Sequence, residues 1–224
     1  MTAVRYVVFD LDGTLLDTLQ DIADSANKAL EEAGFPIHPT REYATFLGNG
    51  VRTLVERILP DSLAARDEWT SRTLKRIKQL YATDWFRNTR PYPGIIPMLE
   101  KLAGKGVPLA VLSNKPRESL APQVKKFFPH ISFAFVAGAD EGSPLKPDPR
   151  ALLERLEILD WSPSEVMLLG DTGIDIKTAR LAGATAVGVL WGFRNRAELE
   201  AAGAHFIVEE PGEIPGLVDV GPCK

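Results

Sequence analysis

A parallel α/β sheet flanked by helices, interrupted once by an all-helical insertion, is the fold that this 224-residue sequence predicts. Three observations carry the prediction. Short β-rich apolar runs recur along the chain with amphipathic helical patterns between them, which is the rhythm of parallel strands joined by crossover helices. The runs are apolar throughout instead of alternating, as in strands covered on both faces. One long block near the N-terminus keeps helical periodicity alone.

The first run, Val4 to Phe9, ends on Asp10-Leu11-Asp12-Gly13-Thr14, so two carboxylates leave a buried strand together at a turn. Such a tip cannot bury two unpaired charges; they must be solvated, neutralised by a cation or used in chemistry. An ordinary acidic turn is the plain alternative. From about Asp17 to Arg90 the strand rhythm stops. Leu19, Ile22, Ala26, Ala29, Leu30 and Ala33 form one helical stripe that ends at Gly34. Val51, Leu54, Val55 and Ile58 form another ending before Pro60, and Leu74, Ile77 and Tyr81 mark a third. The block begins beside the acidic turn and closes at Pro91-Tyr92-Pro93-Gly94, a stiff return to the sheet, and is therefore placed to act as a lid. This divides the chain into a catalytic core, 1–16 and 91–224, and a helical cap, 17–90.

Beyond the insertion, Ile95, Ile96, Leu99 and Leu102 share a helical face ahead of the strand Val107 to Leu112. A strand at Phe133 to Val136 precedes a helix carrying Leu152, Leu153 and Leu156. Val166 to Leu169 is the next strand, followed by a helix with Ile176, Ala179 and Ala182, then Thr185 to Leu190 and a weaker run at His205 to Val208. Ligands of such sheets bind beyond the carboxyl ends of strands, near the point where strand order reverses. Asp10 belongs there.

With 45% hydrophobic and 25% charged residues the chain can bury a sizeable core. A net charge of -4 offers no footprint for nucleic acid, and no apolar run is long enough to span a membrane. The N-terminus passes into the first strand without a signal-like segment, so a cytoplasmic location is expected. Cys223 is the single cysteine, which excludes a disulfide framework or thiolate metal cage. His38, His130 and His205 lack metal-ligand spacing and are assigned no chemistry. Nothing in the pattern sets an oligomeric state.

Three further strand ends supply what a phosphate site needs. Ser113-Asn114-Lys115 offers a hydroxyl and backbone amides, although Ser-Asn is also a common helix start. In Lys146-Pro147-Asp148-Pro149 the prolines stiffen the backbone ahead of a helix and aim Lys146. Gly170-Asp171-Thr172-Gly173-Ile174-Asp175 places two carboxylates where a chain enters a helix, suited to capping or to a hard cation.

These four segments, in this order, resemble the motifs of the haloacid dehalogenase superfamily, and all four are present without substitution. The insertion between the first two is similar to the helical cap of the phosphoglycolate phosphatase-like subgroup, whose core is a Rossmann-like sheet. Gly48-Asn49-Gly50, Leu112-Ser113-Asn114-Lys115 and Trp191-Gly192-Phe193-Arg194 are similar to stretches in that subgroup. The resemblance implies a Mg²⁺-dependent phosphatase of small phosphorylated metabolites, with 2-phosphoglycolate the leading substrate and pyrophosphate and sugar phosphates open. It implies that Asp10 attacks phosphorus to form an aspartyl-phosphate, while Asp12 protonates the leaving oxygen and then activates water. Ser113, Asn114 and Lys146 would bind the phosphate. Mg²⁺ would be held by Asp10, the backbone carbonyl of Asp12, and Asp171, with Asp175 orienting the shell. Gly48, Asn49 and Gly50 would receive a leaving-group carboxylate on exposed amides, or form only a helix–helix turn. A phospho-relay receiver combines similar groups but needs a persistent phosphoaspartate, which Asp12 and the insertion oppose. A sugar phosphomutase shares the core and cap type; Thr14 favours a phosphatase by resemblance.

Overall fold

The computed structural model describes residues 3–140 and 142–218; Cys223 lies outside them. The chain opens with β1 (Tyr6–Phe9) and β2 (Leu16–Asp17), runs through α1 (Leu19–Glu32), α2 (Thr40–Phe46), α3 (Val51–Ile58) and α4 (Arg66–Asp84), and reaches β3 (Arg90–Pro91). Helix α5 (Ile95–Gly104) leads to β4 (Leu109–Pro116), α6 (Arg117–Phe127), β5 (Phe133–Ala139), α7 (Arg150–Ile158) and β6 (Val166–Gly170). Then come α8 (Gly173–Ala182), β7 (Thr185–Val189), α9 (Arg196–Ala201) and β8 (Phe206–Val208).

Six strands form one sheet in the order β5-β4-β1-β6-β7-β8, each neighbouring pair parallel. Alternate residues of the apolar runs serve opposite faces. Val7, Phe9, Val111 and Leu169 pack with α5 and α6, whereas Val8, Ala110, Leu112 and Leu168 pack with α7 and α8. Burial of each large aliphatic side chain is worth roughly 1.5–3 kcal/mol, which is why both registers of every strand are apolar. From β1 the chain builds β4 and β5 to one side, then crosses back to add β6, β7 and β8 on the other. Strand order therefore reverses at β1, and the crevice opens beyond its carboxyl end.

Helices α1 to α4 close around a core of their own, with Leu30, Tyr43, Val55, Ile58 and Ile77 at its centre. Asn27 fastens the α1–α2 connection by exchanging hydrogen bonds with the backbone of His38 and accepting from the Tyr43 hydroxyl at 2.7 Å. Among the described residues no helix is long and apolar enough to cross a membrane.

Three expectations need correction. The insertion is not helical to its ends: Leu16 pairs with Pro91 and Asp17 with Arg90 in a two-stranded antiparallel ladder, too short to leave an alternating pattern. Asp21 reinforces this junction from α1, its carboxylate accepting from the backbone amides and side chains of Asn88 and Thr89. Ile96 lies off the buried face of α5 and is 41% exposed, since Ile95, Leu99 and Leu102 already complete the stripe. Strand β4 continues through Ser113-Asn114-Lys115 to Pro116 instead of stopping at Leu112, because β5 pairs with it that far, with irregular register.

Candidate active site

The turn after β1 delivers Asp10 and Asp12 to the crevice. Gly13 holds φ +81°, and a side chain there would overlap the Asp171 carboxylate, so the turn requires glycine for both conformation and clearance. Leu11 N donates to Asp10 Oδ1 at 2.7 Å, and Thr14 Oγ1 donates to Asp171 Oδ1 at 3.1 Å. Asp171, at the end of β6, also accepts from Phe193 N at 2.8 Å. Gly192 is pressed against Asp171 and the Gly13 carbonyl, which leaves no room for a Cβ. The neighbouring Trp191 donates from Nε1 to Thr14 O.

Asp175 has two tasks. As the third residue of α8 it closes a capping box, Oδ2 accepting from Thr172 N and Thr172 Oγ1. Its Oδ1 accepts from Lys146 Nζ at 2.6 Å. Lys146 is buried, and its ammonium also donates to Leu112 O at 3.0 Å and lies 3.0 Å from Asp10 Oδ1. The carboxylates of Asp10, Asp171 and Asp175 each bring one oxygen within 4.8 Å of the others. Burial pushes Asp10 up to about 6; Lys146 opposes that rise, and Asp175 and Asp12 add to it. Asp171 is raised well above the usual carboxylate range by burial and by Asp175 and Asp10. Burial alone would lower the Lys146 pKa, but Asp10 and Asp175 outweigh it and keep the ammonium charged. Oxygen-only donors, clustered and short of positive charge, fit a hard divalent cation.

Asp12 stands outside that cluster. Its Oδ1 accepts from Thr18 Oγ1 at 2.7 Å and from Lys115 Nζ at 2.8 Å. Each carboxylate of the turn thus has its own lysine. Both line a cavity of about 90 Å³, with Ser113 beside them and Gly48, Gly50 and Leu54 from the insertion opposite. Asn49 is not among the lining residues: its Oδ1 accepts from Arg57 Nη2 at 2.8 Å, and it faces a neighbouring open groove. Asn114 lines the cavity, but its amide braces two loops, donating to Gly48 O and Lys146 O and accepting from Lys146 N.

Thr18, Tyr81, Lys115 and Arg194 received no role from the sequence. Lys115 carried a signal, because it stands two residues after Ser113 on a strand and so shares its face. Tyr81 ended the α4 stripe with a polar tip. Arg194 shows nothing locally: from the loop that supports Asp171 it reaches the carbonyls of Ala44, Thr45 and Leu47 and pairs with Glu198, seating the insertion on the core.

A sheet that reverses at β1, with three buried carboxylates and a lysine at that point, defines an α/β enzyme with a site suited to a metal ion. The chain belongs to the haloacid dehalogenase-like hydrolase family, whose model matches residues 7–189. It is 34% identical to the phosphoglycolate phosphatase of Aquifex aeolicus, over 96% of this chain and 97% of that protein. Identity to the phosphoglycolate phosphatase of Mannheimia succiniciproducens is 31%, over 96% and 98% of the two chains. A crystal structure of a predicted phosphoglycolate phosphatase from Haemophilus somnus superposes with a TM-score of 0.88 at 26% identity, over 97% of this chain and 99% of that one.

Proposed function

We propose that this protein is a Mg²⁺-dependent phosphoric monoester hydrolase that converts 2-phosphoglycolate to glycolate and phosphate in the cytoplasm, with 1–16 and 91–224 as its catalytic core and 17–90 as a cap. One observation carries the reading: Asp10 and Asp12, two residues apart, face one cavity but are held by different partners, as a nucleophile and a separate acid/base must be. The curated relatives favour phosphoglycolate among small esters. A cavity of about 90 Å³ suits a leaving group as small as glycolate.

Asp10, Asp171 and the backbone carbonyl of Asp12 would hold Mg²⁺, with Asp175 behind them, and the bound ion neutralises phosphoryl charge. With Asp10 Oδ1 engaged by Leu11 N and Lys146, Oδ2 is the oxygen free to attack. As the Asp10–phosphorus bond forms, the bond from phosphorus to the leaving oxygen breaks and Asp12 gives that oxygen its proton. Asp12 then takes a proton from water, which displaces Asp10 and releases phosphate. Ser113 and Lys146 hold phosphoryl oxygens throughout. Gly48 and Gly50 bring the backbone at the start of α3 against the leaving group, where exposed amides suit its carboxylate.

The test is hydrolysis across a panel of phosphomonoesters and pyrophosphate, with and without Mg²⁺. The highest kcat/KM is expected for 2-phosphoglycolate, with turnover lost on chelation. A sugar phosphate or pyrophosphate turned over far better would move the substrate assignment.

A further inference from the structure

Lys115 joins three elements that the fold brings together. From β4 it donates to Asp12 Oδ1 in the turn after β1 and to the Tyr81 hydroxyl of α4 at 2.9 Å, with the Tyr81 ring centre 4.7 Å from its ammonium. Its side chain is 5% exposed. Burial acts to lower its pKa, yet Asp12 and Tyr81 outweigh burial and hold it charged. Beyond Tyr81, Gln123 of α6 donates from Nε2 to the same hydroxyl at 2.8 Å. Gln123 Oε1 is the one buried side-chain polar atom without a partner among the described residues. Tyr81 thus receives two donors while its own proton has no acceptor; turning the Gln123 amide over supplies one. The resulting polar chain runs from α6 in the core, through the insertion, to the acid/base.

Lysine has a long stem with four rotatable bonds, so an unrestrained Lys115 has more than one place to go. Tyr81 removes that choice by contact with both its ring and its hydroxyl. Thr18 and Lys115 converge on one oxygen of Asp12, which selects a single carboxylate orientation. We propose that Lys115, held by Tyr81 of the seated insertion, is the positioning residue that aims Asp12 at the leaving oxygen. The device rests on the phosphatase reading and adds that Tyr81 of the docked insertion helps to set the acid/base geometry.

Leaving-group dependence tests it, using the full-length protein with Mg²⁺. Acetyl phosphate releases a carboxylate, whose low pKa lets it depart without a proton, whereas 2-phosphoglycolate and ethyl phosphate release alkoxides that need one. Since kcat/KM reports events through the first irreversible step, it isolates proton donation by Asp12. Lys115→Met should lower kcat/KM for both alkyl esters by on the order of 10²-fold, and Tyr81→Phe by about tenfold for one lost hydrogen bond to a charged group. Acetyl phosphate should change little in either variant. Equal losses on all three substrates would reduce the pair to a structural contact and overturn the proposal. A loss on 2-phosphoglycolate with ethyl phosphate spared would also overturn it, making Lys115 a carboxylate anchor. Parent protein that hydrolyses none of the three refutes the phosphatase reading and the proposal together; normal parent turnover with either of the other patterns refutes the proposal alone.

Discussion

Replacing Asp171 by Asn should leave the metal-free protein at least as stable as the parent while removing the stabilisation conferred by Mg²⁺. Oxygens of Asp10 and Asp175 lie within 4.8 Å of an Asp171 oxygen. At that distance each like-charge pair costs about 3 kcal/mol with an effective dielectric near 20, and Lys146 touches Asp10 and Asp175 but not Asp171. The amide keeps an acceptor for Thr14 Oγ1 or Phe193 N and loses one of these bonds, worth roughly 1–2 kcal/mol. Relief of the two repulsions exceeds the loss of that bond, so the metal-free variant should be no less stable than the parent. Mg²⁺ at a hundredfold excess over its Kd should add about 2.7 kcal/mol to the parent and almost nothing to the variant. A pH dependence follows. Asp10 is pushed up to about 6 from an ordinary 3.8, and Asp171 is also raised, so both bind protons more tightly folded than unfolded. The stability Asp10 contributes is complete below its ordinary pKa and is lost as pH rises through about 6, and the contribution of Asp171 likewise falls as pH rises. Mg²⁺ bound by these carboxylates would replace those protons, so its stabilising effect should grow from pH 5 to pH 7.5. Urea titrations of parent and variant, with and without Mg²⁺ across that range, measure both effects, and the difference between the two proteins cancels the other carboxylates. Equal Mg²⁺ stabilisation of both, or an effect in the parent that shrinks with rising pH, would refute the reasoning.

Asp10→Asn should abolish turnover and phospho-enzyme formation, because an amide is a poor nucleophile; phosphate trapped on the variant from labelled substrate would contradict this. Asp12→Asn keeps the backbone carbonyl and should lower turnover by roughly 10²-fold or more with a much smaller change in Mg²⁺ affinity, as calorimetric titration can establish. At the junction of core and insertion, Asp21→Ala strands the buried amide of Thr89 and should cost about 2 kcal/mol, at roughly 1–3 kcal/mol for an unsatisfied buried donor. Burial acts to raise the Asp21 pKa, but hydrogen bonds from Thr89 and Asn88 outweigh it and lower it, so this contribution should disappear as pH falls through the carboxylate range. Chemical denaturation at neutral and acid pH gives both numbers.

Strands, the main helices and the four charged strand ends were legible because each leaves a local mark. An apolar run buried on both faces has no alternation, a helix facing one core has a stripe, and a carboxylate at the tip of an apolar run has nowhere dry to go. Asp10 and Asp171 stood out on those grounds, whereas Asp175 and Lys146 drew their roles from the resemblance of the four segments taken together. The β2–β3 ladder did not, since two residues on each side show no period. Asn49 was drawn toward the site by its position in a Gly-Asn-Gly turn, yet Arg57, eight residues on, turned its side chain away.

By itself the sequence determined which residue types stand at the ends of which strands, and hence the family and the chemistry available to it, because periodicity and burial act along the chain. Tertiary structure alone decided how those charges are shared. Lys146 serves Asp10 and Asp175, while Lys115, 103 residues from Asp12, serves that carboxylate and answers to Tyr81 on the insertion. Such pairings depend on distances of about 3 Å between groups remote in sequence, where ionic and hydrogen-bond energies fall steeply with separation, and only the packing of helices on the sheet sets those distances.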